Sequence, residues 1–404
     1  MHIGVDLRSL LSPHRTGVGQ YAAELLSAIF KIDSENQYYL FYNSLSKARP
    51  FPALSSAEAR VQRPSLPPQR REPERGSSLV ELERGLTNSN IHILSTRYPN
   101  KLFSASSKFL KIPKLDSFLA RRFDIPRLDY FFSPHLNFTS LSGETKHILT
   151  IHDLTYELFP NFLTRKQRWW HRLTSPKEQC EDAHLILTPS ENTKRDIINY
   201  YQIPEEKIKV IYPGLANPTS YILNPKFLRP PFILFLGTLE PRKNIAGLIT
   251  AYEAAFPNLR NPHDLIIAGA PGWKNKEIKK LARRSPLHDR IKFIGFVDEG
   301  DKPALYRGAS VFVYPSFYEG FGFPVLEAMQ YGTAVITSNR SSLHEITSGA
   351  AYLINPHRPH EITAGLIKIL NSPSLTERFS ILGKEQAAKF TWEKAAKEWL
   401  SLLQ

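Results

Sequence analysis

Two glutamates on either side of a glycine-containing loop are the residues of this chain best suited to chemistry. Glu319 and Glu327 flank Gly320-Phe321-Gly322 within the sequence YEGFGFPVLEAMQYG. The glycines let the main chain approach a ligand closely, and free N–H groups at a helix start favour an anion such as a diphosphate. A carboxylate beside such an anion is best used to accept hydrogen bonds from hydroxyl groups. One carboxylate for a sugar and one for a ribose would suit a sugar nucleotide.

Two adjacent cations form a second candidate site. Arg242 and Lys243 follow the apolar run at 232–236 and precede a predicted helix. Cations at a helix start oppose the helix dipole, so an anion should compensate them. Arginine would grip a diphosphate as a fork and lysine as a point charge, so we assign both to diphosphate binding. Gly269 and Phe296-Val297 end two further predicted strands and could form a slot for a nucleotide base.

The elements that would position these residues are short apolar strands alternating with helices. Strands are predicted at 3–6, 38–42, 91–94, 130–132, 147–151, 184–188, 208–211, 232–236, 264–268, 291–294, 311–314 and 334–337. Helices are predicted around 21–30, 165–180, 275–284, 301–308, 324–331 and 392–403. A further helix opens within 189–196, and another follows 237–244; Ser190, Pro324 and Gly332 mark helix ends. The alternation predicts an α/β fold with doubly wound, Rossmann-like parallel sheets, whose strands bind ligands at their carboxyl edge.

The length of 404 residues predicts two domains. We expect an N-terminal domain at 1–211, a proline-rich linker at 212–231 and a C-terminal nucleotide-sugar-binding domain at 232–390, with the terminal helix at 391–404 packing back onto the first domain. The proline- and arginine-rich stretch 49–78 is expected to be an irregular insertion.

The charge and the absence of targeting segments indicate where the protein works. The formal net charge is +14, and Cys180 is the only cysteine. The first residues lead directly into a predicted strand and no apolar run approaches bilayer length, so we expect neither a secretory leader nor a membrane span. We expect a cytoplasmic protein, peripheral on the inner face of the cell membrane. Eight basic residues and two acidic ones lie between 97 and 127, interleaved with apolar side chains. This mixture suits an anionic membrane surface or a polyprenyl-linked acceptor, and a solvated helix pair is the alternative.

The spacing of the two glutamates also carries a resemblance to a known family. Seven residues separate Glu319 from Glu327, which resembles the EX7E motif of retaining GT-B glycosyltransferases, built from two domains that face a central cleft. The surrounding sequence is similar to glycosyltransferase family 4, in particular to its bacterial mannosyltransferase branch. The resemblance implies that Glu319 contacts the donor hexose and Glu327 the ribose. It also implies that the amides of Gly320, Phe321 and Gly322 hold phosphate.

Other segments extend the resemblance into the first half of the chain. Gly17 and Gly19 resemble the family's N-terminal glycine loop, which faces the donor phosphate and the acceptor. His152, at a predicted strand end, resembles the family's donor-sugar histidine. Asp153 and Tyr21 are placed on the acceptor side. The segment Glu240 to Asn244 resembles the family's pyrophosphate loop, which supports the assignment of its Arg and Lys.

The hypothesis is a retaining transfer of a hexose, mannose from GDP-mannose, to a lipid-linked or growing polysaccharide acceptor. The acids Asp298, Glu299 and Asp301 form the nearest acidic group, but Arg242 and Lys243 already occupy the role of a metal, so no metal and no other cofactor is expected. Two alternatives stay open. One is a transferase that uses a UDP-sugar, and the other is a basic protein that binds nucleic acid.

Overall fold

The computed structural model describes residues 1–11, 17–43, 90–216 and 231–403. Its strands, in chain order, are β1 (His2–Asp6), β2 (Gln37–Asn43), β3 (Ile91–Thr96), β4 (Tyr130–Ser133), β5 (Lys146–Thr150), β6 (Leu185–Thr188), β7 (Ile208–Val210), β8 (Phe232–Leu236), β9 (Asp264–Ala268), β10 (Ile291–Gly295), β11 (Val311–Tyr314), β12 (Val335–Ser338) and β13 (Tyr352–Ile354).

The α-helices of the same residues are α1 (Gly17–Ile32), α2 (Asn100–Ala105), α3 (Leu115–Phe123), α4 (Thr155–Leu158), α5 (Arg165–Thr174), α6 (Pro176–Asp182), α7 (Glu191–Tyr201), α8 (Ile245–Ala255), α9 (Lys276–Arg284), α10 (Lys302–Gly308), α11 (Phe323–Gln330), α12 (Ser341–Thr347), α13 (Pro359–Leu370), α14 (Pro373–Ala387) and α15 (Trp392–Leu400). A π-helical segment, Ser106–Leu110, follows α2, and a 3₁₀ turn, Pro241–Lys243, precedes α8.

The strands form two sheets, and the strand order of both sheets follows the same pattern. The first has the order β3-β2-β1-β4-β5-β6-β7 and the second the order β10-β9-β8-β11-β12-β13. The pairings of β8 with β9 and β11, and of β11 with β12, are parallel. In each sheet the order reverses beside its first strand, between β1 and β4 and between β8 and β11. Such a reversal opens a crevice at the carboxyl ends of the two strands.

The central strands of the second sheet are buried on both faces, which explains why β8 and β11 are continuous apolar runs. Every residue of β8, β11 and β12 is buried. Strands covered on both sides need continuous apolar runs rather than an alternating pattern, and this is the pattern that predicted them. The predicted doubly wound α/β fold is confirmed. Strand β13 was not predicted from the sequence.

The helix predicted at 165–180 is two helices, and this prediction was wrong in one respect. Ser175 adopts a positive φ of 47° between α5 and α6, and Pro176 begins the second helix. A proline disfavours the helical conformation of the residue before it and has no N–H to continue the ladder. The break therefore falls where the proline requires it.

The described residues divide into two compact units. The first comprises Met1–Ile151, Thr174–Leu187 and Trp392–Gln404, and the second comprises His152–Leu173 and Thr188–Thr391. The boundary expected at 211 is therefore not the one that the contacts follow. Residues 152–173 and 188–211 belong to the second unit because their hydrogen bonds go there; Trp273 Nε1, for example, donates to the Phe162 carbonyl at 2.5 Å.

The terminal helix α15 belongs to the first unit. Trp399 is fully buried, and its ring lies 5.2 Å from that of Phe132 on β4. The expected insertion at 49–78 and most of the expected linker lie outside the described residues. No helix in the described ranges combines the length and the apolar character needed to cross a bilayer.

Three glycines at the ends of β8, β9 and β10 hold the strand ends close together. The N–H of Gly269 donates to the Gly295 carbonyl at 2.7 Å, and Gly269 has a φ of +140°. A Cβ atom on Gly269 would lie 1.9 Å from the Gly237 carbonyl oxygen. Main chain therefore packs on main chain at this edge, and a side chain has no room.

We expect Gly269→Ala to lower the free energy of unfolding by about 2–5 kcal/mol, from conformational strain plus overpacking. Gly295→Ala is the matched control, since Gly295 has a φ of +78° but open space around its Cβ position. It should cost only the strain, about 1–2 kcal/mol. Urea denaturation of the two variants measures the difference, and equal losses would contradict the packing argument.

Candidate functional site

The loop after β8 holds an arginine in a fixed fork. Arg242 donates from Nε and Nη2 to Glu240 Oε1 at 3.0 and 2.7 Å. Its Nη1 donates to the Tyr318 carbonyl at 2.8 Å and to Glu319 Oε2 at 2.6 Å. Glu240 is only 2% exposed, so this pair is shielded from solvent. The planar guanidinium is locked in one orientation by partners from two loops.

The next residue, Lys243, is bound to the same carboxylate. Lys243 Nζ donates to Glu319 Oε1 at 2.6 Å and to the hydroxyl of Tyr314. The ammonium also lies 4.9 Å from the centre of the Tyr314 ring, within the range of a cation–π contact. Tyr314 is the last residue of β11, and Lys243 belongs to the loop after β8. The reversal of strand order is thus what brings the lysine to the tyrosine.

Glu319 is the centre of this cluster. Burial alone would raise the pKa of its carboxyl group, but the charges of Arg242 and Lys243 outweigh burial and lower the pKa to about 2. The same carboxylate helps to keep the pKa of Arg242 well above its ordinary value against the effect of burial. The group is ionised at any physiological pH, and it accepts one bond on each oxygen.

The hydrogen-bond inventory of the cluster shows what remains for a ligand. A guanidinium has five N–H groups and an ammonium has three. Four bonds of Arg242 and two of Lys243 are used within the protein. Counted over the described residues, one N–H of each cation is left, together with lone pairs on Glu319. The cluster can therefore donate to an anion and accept from hydroxyl groups at the same time.

The glycine loop between Glu319 and helix α11 is shaped by close contacts. A Cβ on Gly320 would lie 1.9 Å from the His152 carbonyl oxygen, and Gly322 has a φ of +121°. Ser342 Oγ bonds to the carbonyls of Glu319 and Phe321 at 2.9 and 2.6 Å. In the described chain the N–H groups of Gly320, Phe321 and Gly322 donate to no other residue. These donors precede the start of α11, where the helix dipole favours an anion.

His152 and Asp153 lie against this loop. The His152 carbonyl is the atom that Gly320 approaches, and it accepts from Thr193 Oγ1 at 3.4 Å. Asp153 Oδ1 accepts the Thr155 N–H at 2.9 Å, and its charge acts on Arg242. Asp153 therefore has a local structural role as well as an electrostatic effect on the cation cluster.

Helix α7 is tied to the same loop. Ser190 caps the helix by accepting the Thr193 N–H, as predicted, and its Oγ bonds to the Gly320 carbonyl at 2.7 Å. Glu345 accepts the N–H groups of Glu191 and Asn192 at 2.8 and 2.9 Å. The carbonyl side of the loop is thereby occupied by the protein, which leaves its N–H side for a ligand.

Glu327 has its own set of partners on α10. Tyr306, which is fully buried, donates its hydroxyl to Glu327 Oε2 at 2.7 Å. Lys302 Nζ lies 3.6 Å from Glu327 Oε1 and 2.8 Å from Glu299. Burial disfavours the lysine charge, but Glu327 and Glu299 outweigh it and raise the pKa of Lys302. The second glutamate is thus an oriented acceptor on the first turns of α11.

Comparison with known proteins assigns the chain. The family model for glycosyltransferase family 4 matches residues 16–216, and that for glycosyl transferases group 1 matches residues 224–386. The O-antigen chain mannosyltransferase B of Escherichia coli is 34% identical over 265 residues, which cover 63% of this chain and 69% of that protein. The chain belongs to glycosyltransferase family 4.

Solved structures agree with this assignment at the level of the fold. Sucrose-phosphate synthase from Thermosynechococcus elongatus superposes with a TM-score of 0.72 over 99% of this chain and 98% of that chain, at 18% identity. The Anabaena protein HepE, in complex with UDP and glucose, gives a TM-score of 0.67 over 100% and 99%, at 15% identity. The predicted GT-B fold is confirmed.

In this glycosyltransferase the structure brings together only part of the predicted site. Arg242, Lys243 and Glu319 are in direct contact, and the main chains of His152 and Gly320 touch. Glu327 bonds to Tyr306 and Lys302 instead. Val297 is half-buried against the core of the second unit, beside Phe296, which is 58% exposed.

Three of the predicted site residues, Tyr21, Gly17 and Gly19, lie in helix α1 of the first unit. Tyr21 is 2% exposed, and its ring packs edge-on against Trp392 at 5.9 Å. It is a core residue, which corrects its assignment to the acceptor side. The signal was present in the sequence, because Tyr21 shares the apolar helix face of Leu25. Gly17 and Gly19 form the first turn of α1, and the space around the Cβ position of Gly17 is open.

Sequence reasoning missed two residues of the cluster. Glu240 fixes the Arg242 fork, and Tyr314 binds Lys243. Glu240 stands in the same Glu-Pro-Arg-Lys motif as the cations, so its acidic type next to them was a usable signal. Tyr314 resembled an ordinary strand residue. The described residues contain no group of three or more His, Cys, Asp or Glu side chains arranged to hold a metal ion.

We expect Glu319→Gln to destabilise the second unit by about 3–5 kcal/mol at neutral pH, because it leaves two buried cations with one acid fewer. The depressed pKa fixes the pH dependence. Glu319 stabilises the fold above its unfolded pKa of about 4.5 and loses this effect as pH falls toward 2. The stability difference from the unmodified protein should therefore shrink across that window in urea titrations.

The matched control is Glu385→Gln, which changes an exposed glutamate on α14. It should leave the free energy of unfolding within about 0.5 kcal/mol of the unmodified value. A Glu319→Gln variant that behaves like this control would show that the cation cluster does not depend on its carboxylate.

Proposed function

We propose that this glycosyltransferase moves mannose from GDP-mannose, with retention of anomeric configuration, to a lipid-linked or growing polysaccharide acceptor in cell-surface glycan synthesis. The observation that carries the proposal is the buried cluster of Arg242, Lys243 and Glu319 at the reversal point of the second sheet. The similarity to an O-antigen mannosyltransferase supports mannose as the sugar and a cell-surface glycan as the product.

The donor diphosphate would meet donors from two directions. In the described chain one N–H remains on each of Arg242 and Lys243, and the N–H groups of Gly320, Phe321 and Gly322 donate to no other residue. Together these donors form a rigid set for phosphate oxygens. They would also stabilise the charge that grows on the diphosphate as the glycosidic bond breaks. We propose that they replace a metal ion and that no cofactor is required.

The carboxylates would recognise hydroxyl groups on either side of the diphosphate. Glu319 keeps lone pairs for the hexose, and Glu327, held by Tyr306 and Lys302, would accept the ribose hydroxyls. His152, whose main chain touches Gly320, would contact the donor sugar. Hydroxyl recognition by buried charged acceptors also gives specificity, since an analogue without the hydroxyl leaves the acceptor unpaired.

The state of Glu319 bears on the mechanism. A carboxyl group with a pKa of about 2 is a weak base, and both of its oxygens are held by cations, so it is poorly suited to attack carbon or to deprotonate the acceptor. We therefore propose attack from the face of the departing diphosphate. The acceptor oxygen bonds to the anomeric carbon, the bond to the diphosphate breaks, and a phosphate oxygen takes the acceptor proton.

The nucleotide can be tested by thermal shift. GDP should raise the melting temperature more than UDP at the same concentration, because binding to the folded state stabilises it by mass action. Lys243→Ala should abolish the shift relative to its own unliganded melting temperature, whereas Lys279→Ala, which changes an exposed lysine on α9, should retain it. A larger shift with UDP would favour the alternative UDP-sugar enzyme, in line with the UDP-bound HepE structure.

The stereochemistry can be tested by proton NMR of the product. With GDP-mannose and a short mannose-bearing acceptor, the one-bond coupling between C1 and H1 of the new residue, together with the chemical shift of its anomeric proton, should show the configuration of the donor. An inverted product would rule out same-face attack. Arg242→Lys should lower kcat by roughly 10²–10³-fold, the cost of losing a donor to developing charge. Lys279→Arg is its matched control and should be unchanged.

A further inference from the structure

The first unit carries a cluster of large apolar side chains that face solvent. Leu102, Phe109, Leu110 and Ile112 are 67%, 72%, 67% and 52% exposed. We call these four residues the apolar patch. They lie on α2, on the π-helical segment after it and on the turn that follows. Single exposed apolar residues need no explanation, but four within one short stretch mark an interaction site.

Buried neighbouring residues anchor the segment that carries the apolar patch. Phe103, between its members, is 6% exposed and stacks on Phe41 of β2 with ring centres 5.9 Å apart. Ser107 is buried as well. Ser106 Oγ donates to the Ile112 carbonyl at 2.6 Å, which closes the turn. The outward side chains therefore belong to a folded platform with its own inward anchors.

The stretch that holds the patch exposes many cations and few acids, and its helices α2 and α3 pack on one core cluster through Phe103, Leu115 and Leu119. The exposed cations between 97 and 127 are Arg97, Lys111, Arg121, Arg122 and Arg127. Asp116 is 2% exposed and accepts from Ser142 and Thr145, so Asp124 is the exposed acid of this range. Tyr98, 54% exposed, adds an aromatic ring of the type that lies at headgroup level.

We propose that this face docks on an anionic lipid bilayer, with the apolar patch entering the boundary between headgroups and acyl chains and the cations lying on the phosphates. A bilayer supplies both complements at once, an apolar layer beneath a negative surface. The net charge of +14 attracts the whole chain to such a surface, and the patch selects which face meets it. The proposal does not depend on the identity of the sugar donor.

The test is cosedimentation of the full chain with vesicles. The protein should bind vesicles that contain phosphatidylglycerol, bind phosphatidylcholine vesicles far more weakly, and lose affinity as salt is added. The double variant Leu102→Ser/Phe109→Ser should weaken binding at least about 10-fold, because it removes two large apolar groups from the contact. Ile381→Ser is its control, since Ile381 is 52% exposed on α14, and it should bind like the unmodified protein.

A second pair of variants separates location from net charge. Arg121→Glu/Arg122→Glu should lower the partition coefficient by roughly 10-fold or more, at about 1 kcal/mol for each cation removed from the surface. Lys279→Glu/Lys280→Glu makes the same charge change on α9, where the described residues include no exposed large apolar side chain, and should have a much smaller effect. Equal losses of vesicle binding in the two double variants would show that only the net charge of the chain matters, and they would overturn the proposal.

Two further outcomes would also overturn it. Equal binding to both kinds of vesicle would remove the role of the cations. Concentration-dependent dimerisation in analytical ultracentrifugation, abolished by Leu102→Ser/Phe109→Ser, would assign the patch to a second copy of the chain. Unchanged thermal unfolding of each variant confirms that the substitutions act on the surface and not on the fold.

Discussion

A single carboxylate that bonds to two adjacent buried cations is the constraint on which the candidate site depends. Arg242 and Lys243 follow each other in the chain and would repel one another in a dry environment. Glu319 bonds to both, and Glu240 provides the second negative charge. The protein thus keeps a balanced cluster before any ligand arrives, and its remaining N–H groups are already oriented. Little reorganisation is needed when negative charge enters.

This balance requires the topology of the second sheet. The cations come after β8 and Glu319 after β11, and these strands are neighbours only because the order of the sheet reverses there. The glycines at the ends of β8 and β9 let the loops approach closely, and the Phe317 N–H donates to the Arg242 carbonyl at 3.0 Å. The strand order and the close main-chain packing therefore bring Glu319 to the two cations, and the charge balance of the cluster depends on both.

Much of the fold and of the candidate site could be predicted from the sequence, because buried parallel strands have continuous apolar runs. β9 and β11 were predicted with their observed bounds, and Glu319, Arg242 and Lys243 stand in motifs whose chemistry is local. The failures have physical causes. Tyr314 and Glu240 act through partners that only the fold supplies, and the amphipathic face of α1 takes Tyr21 into the core. The division of the chain into units follows contacts of 152–173 and 188–211 that no local pattern encodes.

The meeting of the Gly320 and His152 main chains has a consequence for how such an enzyme can diversify. The frame of the loop is set by backbone against backbone at position 320, which tolerates no side chain, and by the hydroxyls of Ser190 and Ser342 on its carbonyls. Residues outside this frame can therefore differ, to suit another hexose or another acceptor, while the amides of the loop stay where they are. The main-chain position of this loop therefore depends on a glycine, whereas the residue types around the loop can differ between enzymes that act on different sugars.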